Sequence, residues 1–114
     1  MGIISGIVEL IKAACRFITN IVRKVIRGIL NFAREVVGWF RSLTLDKEKD
    51  TPFIADATKF KDMLKTAPTK DVGIFEGVYN EDTDEITNNR YLEADEVDDR
   101  TKNILGNEEL VVLQ

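Results

Sequence analysis

The chain lacks several residue types that catalytic and metal sites usually need. Its 114 residues include no histidine and a single cysteine, Cys15. Without histidine, a serine or cysteine nucleophile has no imidazole base, and a zinc finger lacks its nitrogen ligands. A lone cysteine also excludes a disulfide framework within the chain. We therefore predict that the protein is not an enzyme, that it has no catalytic residue, metal site or cofactor, and that it acts through its surfaces.

Long apolar runs and phosphate-binding loops are missing as well. A membrane-spanning helix needs roughly 18 apolar residues in succession, but charged residues interrupt every apolar stretch of the first 43 residues. A signal peptide is not expected either, because its basic start is missing, and neither glycine-rich nucleotide motif occurs. The pattern Asn80-x-Asp82-x-Asp84 resembles a calcium loop, but Glu85 and Tyr91 occupy the places of its glycine and its bidentate glutamate. We interpret it as a turn.

Charge is divided unevenly along the chain, whose net charge is −4. Residues 1–43 carry seven basic and two acidic groups, whereas residues 44–114 carry nine basic and eighteen acidic groups. A basic segment prefers anionic partners, and an acidic one favours solubility. We therefore predict two domains, a basic amphipathic helix within residues 1–45 and a small acidic domain over residues 46–114.

Residues 1–43 have the spacing of a helix. Their polar residues recur every three or four positions, and several are eleven residues apart, as Arg16 and Arg27 are. An eleven-residue repeat gives about 3.67 residues per turn, so that the polar stripe would run nearly straight along the axis. We expect one amphipathic helix over residues 3–43, roughly 60 Å long.

Such a helix would be too long for the remaining residues to cover, so its apolar side must meet other copies of the chain, a partner or a bilayer. A break at Gly28, with the helix folding back, is the alternative. The candidate pore-lining or anion-facing residues are Lys12, Arg16, Arg23, Lys24, Arg27 and Arg34. The candidate lipid- or partner-facing residues are Ile18, Ile21, Val22, Val25, Ile29, Phe32, Val36, Trp39 and Phe40.

Residues 46–114 predict a small acidic α+β domain with a three-stranded sheet. Alternating apolar residues indicate strands over 72–79 and 85–93, joined by the polar turn 80–84, and a third strand over 110–113. Short helices are expected over 57–66 and 95–105, the second ending before Gly106. The predicted fold class is therefore α+β, with a long N-terminal helix before this domain.

These features together predict a membrane-active homo-oligomer. A ring of helices would form a pore or ion channel with an acidic soluble collar, and its arginine rings would favour anions. This architecture would suit an effector of a bacterial toxin or defence system. Two alternatives stay open, a scaffold protein that assembles through its helix or coats a membrane surface, and a nucleic-acid binder that uses the basic stripe.

The expected partners are further copies of the chain and a lipid bilayer, with nucleic acid or another polyanion as an alternative. No small-molecule substrate is inferred. We expect the protein to be associated with a membrane on its cytoplasmic side.

Overall fold

A five-stranded mixed sheet forms the centre of the structure, a computed structural model that describes residues 2–18, 21–59 and 70–113. Among the described residues, three helices flank this sheet, and a two-stranded parallel pair extends one of its edges. In chain order the elements are α1 (Gly2–Cys15), β1 (Arg23–Val25), β2 (Ile29–Leu30), α2 (a π-helical part Phe32–Val37 and an α-helical part Gly38–Ser42), β3 (Asp50–Asp56), β4 (Val72–Asn80), β5 (Glu85–Ala94), β6 (Glu96–Val97), α3 (Asp99–Leu105) and β7 (Leu110–Val112).

The sheet has the strand order β1-β5-β4-β3-β7. Strands β3, β4 and β5 form an antiparallel meander, and β7 adds antiparallel to β3. Strand β1 adds to the other edge, parallel to β5, and β2 continues along β6 in the same direction. Residues from both halves of the sequence therefore share one hydrogen-bonded sheet.

Each face of the sheet carries its own apolar core. Ile11 and Cys15 of α1 pack on one face, against Phe53, Phe75 and other residues of the central strands. The opposite face is covered by α2 and α3. Its buried residues are Leu30, Phe32, Val36, Ile54, Ile74, Leu92, Ala94 and Leu105. Because a strand alternates its side chains between faces, the continuous apolar runs of β3 and β4 supply both cores.

The predicted long N-terminal helix is wrong. Helix α1 ends at Cys15, and residues 23–25 and 29–30 form strands. The segment between residues 21 and 30 is rich in β-branched residues, which fit a pleated strand well, and β5 and β6 provide the partners for its backbone. Gly28 has a φ of +93°, which excludes a helix there. The spacing of polar residues is therefore compatible with a helix, but pairing with distant strands overrides it.

A second, separate helix follows these strands. The side chain of Asn31 accepts a hydrogen bond from the backbone N–H of Arg34, so it caps the start of α2. The first part of α2 is π-helical, a wider winding that often occurs at functional sites. The strand edge thus continues in one direction past Gly28 and ends at Asn31, a residue that favours helix caps and interrupts the apolar pattern.

The α+β class is correct, but the three-stranded sheet is not, since the sheet has five strands. The two hairpin strands predicted over 72–79 and 85–93 are confirmed as β4 and β5, and the third is seen as β7. Strand β3 was not predicted. Helix α3 begins at Asp99, later than predicted, because Asp98 caps it, and it ends before Gly106 as expected. Most of the helix predicted over 57–66 lies outside the described residues.

Candidate binding surface

One edge of the sheet is formed by residues 22–30, which run alongside β5 and β6. The backbone carbonyl of Val22 accepts a hydrogen bond from the N–H of Tyr91 (2.6 Å), and the N–H of Ile26 donates to the carbonyl of Glu93 (2.7 Å). Further along, the carbonyl of Gly28 accepts from two successive N–H groups of the neighbouring chain segment. Within the ranges that the structure describes, no strand pairs with the outer side of β1.

Four large apolar side chains are exposed at or next to this edge. Phe17, just after α1, is 83% exposed, and Val22, Val25 and Ile29 are 61%, 52% and 58% exposed. Asn89 lies close to both Phe17 and Val22. Its side chain accepts a hydrogen bond from the N–H of Val22 (3.2 Å), and it lines the same cavity as Phe17. The four side chains therefore follow one rim of the protein.

Four exposed basic residues lie among or next to these apolar side chains: Arg16, Arg23, Lys24 and Arg27. Arg23 lies 3.9 Å from the buried carboxylate of Glu93, and Lys24 lies 3.1 Å from that of Glu35. Neither Arg16 nor Arg27 forms an ion pair with the part of the chain that the structure describes. We call this surface the β1 edge patch; its members are Arg16, Phe17, Val22, Arg23, Lys24, Val25, Arg27 and Ile29.

The side chains of the β1 edge patch lie on both faces of the strand. Successive side chains of a strand point to opposite faces, so Arg23 and Val25 lie on the face of α1, where Arg23 stacks 5.5 Å from the ring of Tyr91. Lys24 lies on the opposite face, beside Glu35 of α2. Apolar and basic groups are thus present on both faces of the strand at this edge of the sheet.

Acidic residues mark the end of the β1 edge patch near Phe17. A cavity of about 480 Å³ separates α1 from the hairpin between β4 and β5, and Asp84 and Glu85 line it opposite Phe17. A partner of the patch would therefore have to approach from the side of β1 and away from this hairpin.

No family model, curated protein or solved structure matches this chain. Any assignment of function therefore rests on the geometry of the described residues. Among the described residues, no helix is long and apolar enough to cross a bilayer. Within the same ranges, no three acidic or thiol side chains converge closely enough to hold a metal ion.

A buried cluster of charges lies behind the β1 edge patch, between the sheet and α2. Glu76 and Arg90 are directly paired across β4 and β5, and their side chains are joined by a hydrogen bond of 2.8 Å. Arg90 also donates to the backbone carbonyl of Glu35 and stacks 5.2 Å from the ring of Trp39. Lys24 completes the cluster through its ion pair with Glu35. These contacts hold the π-helical part of α2 against the sheet.

Glu76 is the acid of this cluster whose pKa is shifted by burial. It is completely buried, and its Oε2 atom has no hydrogen-bond partner within the described ranges. Burial raises the pKa of Glu76 to about 8, while its hydrogen bond to Arg90 acts in the opposite direction. These neighbours shield Glu76 from solvent, and the contacts of the cluster fasten α2 to the sheet.

Sequence reasoning did not select the residues of this cluster other than Lys24 and Trp39. A usable signal was present, since Glu76 interrupts the apolar strand 72–79 and a buried charge requires a partner. The identity of that partner, Arg90, depends on the register of β4 and β5, which the sequence does not show.

The structure brings together seven of the residues selected from the sequence and separates the others. Arg16, Arg23, Lys24, Arg27, Val22, Val25 and Ile29 all belong to the β1 edge patch. Lys12 lies on α1 and pairs with Glu109 at 3.3 Å, while Arg34 is exposed on α2. The remaining apolar candidates, Ile18, Ile21, Phe32, Val36, Trp39 and Phe40, are buried or half-buried against the two cores or beneath Arg90.

Proposed function

We propose that the protein binds the surface of anionic lipid bilayers through the β1 edge patch. The supporting observation is that four exposed apolar side chains and four exposed basic side chains lie along one rim of the sheet. Apolar side chains at such a rim can enter the boundary between head groups and acyl chains. Arginine and lysine can at the same time reach the lipid phosphates.

The shape of the β1 edge patch favours a bilayer over a protein partner. Its side chains project from both faces of the strand, so a protein partner would need a groove that encloses the whole rim. A bilayer interface deforms around a protruding group and requires no complementary shape. The basic charge of residues 1–43 favours an anionic partner. We therefore expect this partner to be a membrane leaflet that carries acidic lipids, as the cytoplasmic leaflet does.

The pore inferred from the sequence stays a prediction, but it required one continuous helix. Residues 23–25 and 29–30 form strands in the structure, so the ring of parallel helices has no structural basis in this conformation. Coating of a membrane surface, the alternative to the pore, requires only an exposed patch of apolar and basic groups. The proposed function therefore develops that alternative.

Binding to vesicles of defined charge tests the proposal. We expect the protein to sediment with vesicles that contain phosphatidylserine and not with vesicles of phosphatidylcholine alone, and to be released by salt. The double variant Arg16→Gln/Arg27→Gln should bind roughly 30-fold more weakly, because each basic residue near an anionic surface contributes about 1 kcal/mol.

The matched control is Arg41→Gln/Lys102→Gln, which removes the same net charge from α2 and α3. This control should bind as the unsubstituted protein does. If both double variants lost the same amount of vesicle affinity, binding would depend on net charge alone. The β1 edge patch would then not be the binding site. Binding to DNA with the same salt dependence, in the absence of vesicle binding, would favour the nucleic-acid alternative instead.

A further inference from the structure

The opposite edge of the sheet, formed by β7, borders an apolar groove. The groove has a volume of about 1220 Å³ and runs between α1, β7 and the segment that connects α2 with β3. Apolar side chains line it on both faces of β7: Ile7, Val8 and Val112 on the side of α1, and Phe40, Leu43 and Val111 on the side of α2.

The backbone of β7 has unpaired groups that point into this groove. The N–H of Asp56 donates to the carbonyl of Glu109 (2.9 Å), and the N–H of Leu113 donates to that of Pro52 (2.8 Å). Hydrogen-bonded positions alternate along an antiparallel pair, so residues 109, 111 and 113 face β3. The N–H and C=O groups of Leu110 and Val112 therefore face outward, and β7 is the last strand of the sheet among the described residues.

These two features restrict what can occupy the groove. The outward backbone groups can pair with another strand, and the two apolar flanks favour a strand that is apolar on both of its faces. Most edge strands alternate apolar and polar residues. The chain's own sequence Leu110-Val111-Val112-Leu113 has four apolar residues in succession and fits both features.

We infer that two copies of this chain associate through β7, in an antiparallel pairing about a two-fold axis at Val111. In this register the outward groups of Leu110 in one copy meet those of Val112 in the other. The two sheets then continue into one sheet, and the apolar flanks of the two grooves cover each other. The interface is the same on both copies, as a two-fold dimer requires.

Charge at the two ends of the groove supports this register. Glu108 lies just before β7, and Lys47 lies at the other end of the groove, near the start of β3. Asp50 and Glu81 also line that end, where they accept hydrogen bonds from Asp46 and Thr51 of the same chain. The side chains of Glu108 and Lys47 are exposed, and neither forms an ion pair with the described part of its own chain. Antiparallel pairing places Glu108 of one copy toward Lys47 of the other, where opposite charges favour the association.

The position of the outward N–H groups gives a first test, by light scattering coupled to size exclusion. The unsubstituted protein should have twice the mass of one chain. Val112→Pro removes an N–H that bonds nothing within the described part of the chain, and proline is tolerated at such an edge position. We expect this variant to dissociate with a dissociation constant at least roughly tenfold higher, whereas Val112→Ile, which keeps the N–H, stays dimeric.

Charge exchange gives a second test that does not touch β7. Glu108→Lys and Lys47→Glu should each weaken the dimer, since like charges then face each other, and the double variant should restore it. Both positions are exposed, so the fold should be retained, which circular dichroism can verify.

Three results would overturn the inference. The first is that the protein remains monomeric up to its solubility limit. The second is that Val112→Pro stays folded and leaves the dimer unchanged. The third is that the double charge variant dimerises no more tightly than the single variants. The inference does not depend on lipid binding, because these measurements are made without vesicles.

Discussion

Phe17 offers the most direct test of the proposed membrane contact, because it is the most exposed of the large apolar side chains, at 83%. Transferring a complete phenylalanine side chain out of water is worth about 1.5–3 kcal/mol. Scaled by its exposed fraction, the gain on insertion is about 1.2–2.5 kcal/mol. Phe17→Ala should therefore lower the partition coefficient for anionic vesicles by roughly eight- to seventyfold.

The same exposure predicts that Phe17→Ala leaves the fold intact, since a side chain that is mostly in water contributes little to stability. The assay is a lipid titration by co-sedimentation, with the melting temperature measured in parallel. Leu10→Ala is the control, because Leu10 is 54% exposed but lies about 10 Å from Phe17 along the helix axis. We expect it to change the partition coefficient less than twofold.

Two results would refute this reasoning about Phe17. A partition coefficient that changes less than twofold in Phe17→Ala would show that the side chain does not enter the bilayer. An equal effect of Leu10→Ala would show that the contact is not confined to the β1 edge patch.

Two further predictions concern the core. Glu76 holds a proton in the folded state up to about pH 8, whereas an unfolded glutamate loses it near pH 4.3. The contribution of Glu76 to the free energy of unfolding should thus be greatest below that lower value and decrease, by up to about 1.4 kcal/mol per pH unit, until the pH passes 8; an unchanged slope in Glu76→Gln would contradict this. Gly77→Ala should destabilise by about 1–3 kcal/mol in urea unfolding, because the added Cβ would lie 2.6 Å from the ring of Phe53. Gly6→Ala in α1, which meets nothing within 4 Å, should instead be neutral or stabilising, and equal effects of the two substitutions would argue against this packing.

The buried cluster and the β1 edge patch are structurally linked through Lys24. This residue belongs to the exposed rim and also pairs with Glu35, whose backbone carbonyl binds Arg90. Strand β1 and helix α2 are thus held to the sheet by the same group of charges. A change that loosens α2 would be expected to disturb the position of the rim as well.

Several elements could be predicted from the sequence because their determinants are local. The hairpin of β4 and β5 is marked by two alternating apolar segments and a polar turn, and α3 lies between a capping aspartate and Gly106. Strand β3 was missed because Pro52 and the charged residues before it resemble a linker. In the structure Pro52 pairs with Val78, and its carbonyl binds the N–H of Leu113.

The sequence by itself determined the α+β class, the meander hairpin and the presence of basic and apolar side chains between residues 16 and 29. It did not show that those side chains lie on strands, since the spacing of three to four favours a helix, although β-branched residues suit strands as well. Tertiary structure decided this, because β5 and β6 bind the backbone of residues 22–30 and Gly28 adopts a positive φ. Long-range pairing of this kind depends on residues some 70 positions away, and it therefore leaves no periodic signal in the segment itself.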